Sequence, residues 1–256
     1  MQSKSFSLKI NHKIKPYKKS IKVDSDKSLS IRSFLIGSIS QDISSVKNVL
    51  ESEDVISTIN CLKKLGVKIK KNKPKSYLIY GKGLGSLFAK KNLNLNFGNS
   101  GTLARLLVGI LSTTPDIEIK IYGDHSLNKR NMKKLIELMS KFGAEFLPKN
   151  KFNFPLKLIS TEMPIGISYK SGVSAQLKSA VMLAGLNSFG ITEIIEEKKS
   201  RDHTENMLIK NSQAIKIKKK GPKIIKIFGK KYLDSINIDV PGDPSSAAFF
   251  SALTLL

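Results

Sequence analysis

Asn96-Phe97-Gly98-Asn99-Ser100-Gly101-Thr102-Leu103-Ala104-Arg105-Leu106-Leu107-Val108-Gly109-Ile110-Leu111 is the stretch on which the fold turns. Small and polar residues from Gly98 to Thr102 give way to a helical pattern. In it Leu103, Leu106, Leu107, Ile110 and Leu111 share one face at the helical spacing. The first N–H groups of a helix have no partner inside it, and the helix dipole adds positive potential there. The junction is therefore a seat for an anion. Any N-cap shares part of this signature; its recurrence along the chain makes it informative.

Aligned on the caps Ser28, Thr102 and Ser174, the chain repeats at intervals of 74 and 72 residues. A fourth cap, Gly242-Asp243-Pro244-Ser245-Ser246, follows 71 residues after Ser174. Phe6, Leu8, Ile10, Ile21 and Val23 alternate with polar residues and predict strands in the first 23 residues. Asp24 to Ser28 cap a helix carrying Ile31, Leu35 and Ile39. A strand at 45–50 and a helix at 53–65 ending at Gly66 follow, then strands 67–70 and 77–80 joined by Asn72-Lys73-Pro74. The second copy runs from Thr102 through strand 117–122 and a helix bearing Met132, Leu135, Ile136 and Met139. It closes at Gly143, before strands 144–147 and 156–159. The third opens at Ser171-Gly172-Val173-Ser174-Ala175-Gln176, with Val173, Leu177, Val181 and Ala184 as its stripe. Strand 192–195, helix 202–211 and strands 214–218 and 223–228 complete it. A further helix starts at Ala247, so three βαβαββ units are complete and a fourth has begun. The expectation is an α/β (α+β) chain truncated within that last helix.

Composition excludes several classes. Of 256 residues, 40% are hydrophobic and 25% charged, and no apolar run approaches the roughly 18 residues of a membrane helix. The opening MQSKSFSLKI lacks the apolar core of an export signal, so no membrane and a cytoplasmic location are expected. Cys61 stands alone, which excludes an internal disulfide framework; beside Ile59 and Leu62 it reads as a buried, inert thiol. A net charge of +24 suits nucleic acid, yet the lysines run along every segment, aromatics are 7% and Trp is absent. A general lysine bias explains this better, so no nucleic-acid partner is expected, while small anionic ligands are favoured. His12, His125 and His203 lack ligand spacing, so no metal is expected. Gly81-Lys82-Gly83-Leu84-Gly85 lacks the GK[ST] ending of a phosphate loop and reads as a plain loop. Asp124 and Asp202 read as N-caps of the second helices in their units.

If the units pack about a pseudo-threefold axis, their helix starts converge on one face and their fields add. Lys27, Ser28 and Arg32 flank the first cap; Arg105 and Arg130 belong to the second unit; Gln176, Lys178 and Arg201 belong to the third. Arginine suits two-pronged contacts to phosphate or carboxylate, and lysine acts as a movable point charge. Each alone reads as a solvated helix charge. The set at matched positions reads as a site.

At these residues the chain resembles the 5-enolpyruvylshikimate-3-phosphate synthase family, the 3-phosphoshikimate 1-carboxyvinyltransferases. The motifs are Asp26-Lys27-Ser28-Leu29-Ser30-Ile31-Arg32, Gly98-Asn99-Ser100-Gly101-Thr102 with Arg105, and Gly123-Asp124-His125-Ser126-Leu127-Asn128-Lys129-Arg130. Ser174-Ala175-Gln176-Leu177-Lys178-Ser179-Ala180, Arg201-Asp202-His203-Thr204-Glu205-Asn206-Met207 and Val240-Pro241-Gly242-Asp243-Pro244-Ser245-Ser246-Ala247-Ala248-Phe249 follow in family order. The wording of the fourth and fifth is similar to the family's second sequence class.

The resemblance implies an enolpyruvyl-transferase-like globe of three βαβαββ units about a pseudo-threefold axis, plus the start of a second globe. Residues 1–24 would be strands of the second globe. Residues 25–236 would form the complete N-terminal globe, in units of about 25–95, 96–165 and 166–236, and 237–256 would begin the second. It implies transfer of the enolpyruvyl group from phosphoenolpyruvate to the 5-hydroxyl of shikimate 3-phosphate, with no cofactor and no metal, by a monomer or a half paired with a separate C-terminal half. Carried over by position, Lys27 touches both substrates and is the catalytic candidate. Ser28, Arg32, Ser174, Ala175, Gln176 and Arg201 hold shikimate 3-phosphate. Asn99, Gly101, Arg130 and again Gln176 hold phosphoenolpyruvate. Glycine at 101 implies sensitivity to glyphosate. The family's acid/base carboxylates lie in the second globe, so the isolated chain is expected to be inactive. Other readings are the sister family acting on UDP-N-acetylglucosamine, whose reactive cysteine has no counterpart in the second unit here, a related-fold protein acting on RNA ends, and a non-catalytic phosphate-binding remnant or half of a split enzyme.

Overall fold

Strand and helix follow the order that the repeat predicts, apart from a short added helix in the second unit and the leading edge of the first. The computed structural model describes residues 18, 20–218 and 221–254, so Phe6, Leu8 and Ile10 lie outside the described residues. The first unit comprises α1 (Lys27–Ile39), β1 (Ile43–Lys47), α2 (Glu53–Lys64), β2 (Lys68–Lys73) and β3 (Ser76–Tyr80). The second comprises β4 (Asn94–Asn96), α3 (Gly101–Ser112), β5 (Glu118–Tyr122), α4 (His125–Asn128), α5 (Lys133–Lys141), β6 (Glu145–Leu147) and β7 (Leu156–Ile159). The third comprises β8 (Ser168–Ser171), α6 (Ala175–Leu186), β9 (Ile191–Glu196), α7 (His203–Asn211), β10 (Ile215–Lys218) and β11 (Lys223–Phe228). The chain continues through β12 (Asn237–Asp239) and α8 (Pro244–Leu253).

Three four-stranded sheets share one strand order. In the second and third units it runs β4-β5-β7-β6 and β8-β9-β11-β10, with the first pair parallel and the others antiparallel. Among the described residues, the first unit has no strand of its own at that parallel edge. Ile21 and Val23, expected in a strand, are irregular. The place is taken by β12, which pairs parallel with β1, Ser45 opposite Asn237 and Lys47 opposite Asp239. Residues 237–239, expected to begin a second globe, are therefore hydrogen-bonded into the first unit's sheet. A buried edge needs its N–H and C=O groups partnered, and this segment partners them.

Helices α1, α3 and α6 form the centre, with the sheets outside them. The one-sided apolar stripe expected of them is not what they show. Ser30 to Ile39 of α1 are all buried, as is nearly all of α3 from Leu103 onward and of α6 from Leu177 onward. Helices that pack on each other and under sheets have no solvent face. The backbones of α3 and α6 approach closely, and a Cβ on Gly109 would sit 2.5 Å from the carbonyl oxygen of Ala180.

The caps fall two residues earlier in the first two units than the alignment on Ser28 and Thr102 expects. Asp26 Oδ1 accepts from Leu29 N (2.7 Å), Ser100 Oγ from Leu103 N (3.2 Å) and Ser174 Oγ from Leu177 N (3.3 Å). Each cap is then 74 residues from the next. Val173, expected in the α6 stripe, precedes the helix and is exposed. Asp124 caps the separate short helix α4, not α5, and Asp202 stands before α7 without a capping bond. Gly66 and Gly143 end α2 and α5 at φ +85° and +106°, as expected of C-terminal glycines. The loop at Gly81 seals the end of α1, since Gly81, Lys82 and Gly83 N–H groups donate to the carbonyls of Asp42, Ser38 and Ser40. Cys61 is buried, and burial pushes its thiol up to about 12.

Candidate functional site

The N-terminal ends of α1, α3 and α6 are tied to one another by side chains. From α1, Arg32 is buried and reaches α6 and α7: Nε donates to Thr204 Oγ1 (2.9 Å) and Nη2 to Ser179 Oγ (3.3 Å). Its Nη1 donates to the carbonyl and hydroxyl of Ser28, one turn back. Between α6 and α3, Gln176 Nε2 donates to Thr102 Oγ1 (3.0 Å), while its Oε1 accepts from Arg105 Nη1 (2.9 Å). The same Nη1 donates to the Gly101 carbonyl (2.9 Å). The α6 start thus meets both neighbours, α1 through Arg32 and Ser179 and α3 through Gln176.

Gly101 lies between two guanidiniums. A Cβ added there would be 2.8 Å from Nη1 of Arg105 and 2.8 Å from Nη1 of Arg130. Arg130, exposed after α4, donates through Nη2 to Asn99 Oδ1 (2.6 Å). Its proximity to Arg105 is unfavourable for both charges: burial first, then the Arg130 charge, lowers the Arg105 pKa. Burial likewise brings Arg32 down to about 10, with Asp26 and Glu205 opposing the fall and Arg201 adding to it. Among the described residues, the ion pairs leave Arg32, Arg105, Arg130 and Arg201 without a carboxylate partner. Four guanidiniums, with Arg201 close enough to act on Arg32 and Arg130 on Arg105, stand with three helix N-termini in a region of positive potential.

The remaining expected residues fall around this network. Lys27, at the first position of α1, is half-exposed and pairs with Asp54 on α2 at 3.1 Å. Ser28, Ser174, Ala175 and Gln176 are partly exposed at their helix starts. Arg201, in the loop before α7, is exposed and donates to Ser245 Oγ of α8 at 3.1 Å. Lys178 does not join them. It points inward, fully buried, with Nζ 2.6 Å from both Glu196 Oε1 and Glu205 Oε1. Position 178 is one turn into α6, past the exposed end, and its charge is neutralised internally. Sequence reasoning missed Thr102, Ser179, Thr204 and Asp54. Thr102, Ser179 and Thr204 have no spacing signal as partners because they bond residues of another unit, and Asp54 has none because it meets Lys27 from the next helix of the same unit.

A family model described as EPSP synthase (3-phosphoshikimate 1-carboxyvinyltransferase) matches residues 11–256. The chain belongs to the EPSP synthase family. Among its relatives, the 3-phosphoshikimate 1-carboxyvinyltransferase of Novosphingobium aromaticivorans is 40% identical over 244 residues, 94% of this chain and 55% of that protein. The enzyme of that name from Bacillus subtilis is 41% identical over 233 residues, 91% of this chain and 53% of its own. A solved EPSP synthase from Acinetobacter baumannii superposes with a TM-score of 0.81 at 37% identity, over 90% of this chain and 51% of that one. The chain spans about half the length of the curated relatives it matches. The EPSP synthase likeness bears out the three-sheet α/β fold expected from the repeat.

Proposed function

We propose that this chain supplies the substrate-binding half of an enolpyruvyl transfer from phosphoenolpyruvate to the 5-hydroxyl of shikimate 3-phosphate. The observation that carries it is the unneutralised pair Arg105 and Arg130 flanking Gly101 at the start of α3, one hydrogen-bonded step from Gln176 on α6. Both substrates are anions and repel each other. Guanidiniums held by carbonyl and amide oxygens of the protein, with the free N–H groups of the helix starts, can neutralise them, which holds the reacting atoms in line.

In this reading Gly101, Asn99 and Arg130 hold phosphoenolpyruvate. Ser28, Ser174, Ala175 and Arg201 hold shikimate 3-phosphate, with Arg32 fixing Ser28 and adding its charge from beneath. Gln176 stands between the two ligands. Lys27, whose only partner among the described residues is Asp54, swings to meet both. The residues 25–236 act as one substrate-binding globe in the cytoplasm. Calorimetric titration tests this: shikimate 3-phosphate is expected to bind at one site per chain and UDP-N-acetylglucosamine not to bind. Equal binding of the two, or tighter binding of duplex RNA that weakens steeply with salt, would overturn it.

A further inference from the structure

Beneath the anion site lies a buried tetrad of two lysines and two glutamates. Lys178 Nζ is 2.6 Å from Glu196 Oε1 and 2.6 Å from Glu205 Oε1; Lys223 Nζ is 2.8 Å from Glu196 Oε2 and 3.5 Å from Glu205 Oε1. The side chains of Lys178, Glu196 and Glu205 are at most 2% exposed. Such a group costs desolvation, and apolar residues of similar size often serve stability as well or better. Stability alone does not account for it. Its neighbours do. Glu196 Oε1 also accepts from Ser200 N (3.0 Å) and Ser200 Oγ (2.9 Å), which pins the residue before Arg201. Glu205 is next to Thr204 and Lys178 next to Ser179, so α6 and α7 are joined by two adjacent rungs. One is the ion pair; the other is the bond from Thr204 Oγ1 to Ser179 Oγ (2.9 Å), and Arg32 docks onto both hydroxyls.

We infer that the Lys178–Glu196–Glu205–Lys223 tetrad is a positioning device that sets Arg32 and Arg201 for an anionic ligand. None of its members touches the ligand. It fixes the register of α7 against α6, and through that rung fixes the guanidinium of Arg32; through Ser200 it fixes the start of the Arg201 loop. That the ligand is shikimate 3-phosphate rests on the function proposed above, whereas the positioning of Arg32 does not.

The test uses the 256-residue chain and the double variant Lys178→Met/Glu205→Leu, which removes one charge of each sign and leaves Glu196 paired with Lys223. The exposed pair Lys226→Met/Glu193→Gln on the same sheet is the control. Two quantities are read: the hydrogen-exchange rate of the Arg32 Nε–H by NMR, and the shikimate 3-phosphate dissociation constant. The double variant is expected to fold, to exchange Arg32 Nε–H at least about tenfold faster and to bind about tenfold more weakly, the loss matching one charge-assisted hydrogen bond. The control should change neither. A folded double variant with unchanged Arg32 exchange overturns the inference. If the double variant does not fold, the wild-type chain decides: saturating ligand should shift the Lys178 Nζ and Arg32 Nε resonances together, and a shift at Arg32 alone overturns the inference. If shikimate 3-phosphate does not bind the wild type, the ligand assignment falls, and inorganic phosphate takes its place as the probe in both arms.

Discussion

Gln176 on α6 and Arg105 on α3 meet through a 2.9 Å hydrogen bond, although 71 residues separate them in the chain. The same amide donates to Thr102, so one side chain joins two units at the point where the site opens. Gln176→Ala removes both bonds. Each such bond contributes about 1 kcal/mol net, so urea unfolding is expected to show a loss of about 1–2 kcal/mol. Affinity for both anions should fall, because Arg105 loses its tether. Full affinity in a variant destabilised by that amount would contradict the role given to Gln176.

Gly101→Ala separates binding from stability. Its Cβ would meet only the far ends of Arg105 and Arg130, which can swing aside, so the fold is expected to lose less than about 1 kcal/mol, within the range of helix propensity effects. The guanidiniums would leave the place where phosphoenolpyruvate is proposed to sit. Phosphoenolpyruvate affinity, and that of the competing phosphonate glyphosate, should drop together by about tenfold, one lost hydrogen bond to charge. Titration of the variant with each ligand checks this.

Gly109→Ala does the reverse. Here the obstacle is backbone, with the Ala180 carbonyl oxygen at 2.5 Å and Ala180 Cα at 3.0 Å, so α3 and α6 must separate. Overpacking costs about 1–3 kcal/mol, against the roughly 1 kcal/mol that alanine gains in a helix interior. A lower melting temperature is expected. Gly172→Ala, whose Cβ would meet nothing within 4 Å, should leave it unchanged.

Acid should weaken the fold in two stages. Burial, and then the charges of Arg32 and Arg201, lower the His203 pKa from 6.5, so the folded state binds this proton less readily than the unfolded chain. Its contribution is present above pH 6.5 and is lost as the pH falls. For Glu196, burial raises the carboxyl, but hydrogen bonds from Lys178, Lys223 and Ser200 outweigh it and hold the group at about 2 against an ordinary 4.5. That contribution is complete above pH 4.5 and is lost as pH falls from 4.5 toward 2. Unfolding free energy followed against pH should show both falls, and a Glu196→Gln variant should lack the second.

The repeat made the fold legible in the sequence, because each unit carries its own cap, glycine stop and strand pair. Boundaries at Gly66 and Gly143 followed from local chemistry alone. What failed was the packing detail decided between units. The full burial of α1, α3 and α6 comes from helices packing on each other, which a single-helix apolar stripe does not encode. The edge strand of the first sheet comes from residues 237–239, more than 180 positions away from β1. Lys178 looked like a site cation because it lies four residues after the Ser174 cap. Its burial depends on Glu196 and Glu205, which come from later elements. That Ser28, Arg105 and Gln176 stand at helix starts was legible because the starts repeat.

The three helix starts are proposed to act on ligand as one site. Backbone amide NMR of the chain under titration with shikimate 3-phosphate measures this directly at Ser28, Gly101 and Ala175. All three resonances are expected to shift along one binding curve with a single dissociation constant. Shifts confined to one helix, or three curves with different constants, would contradict it.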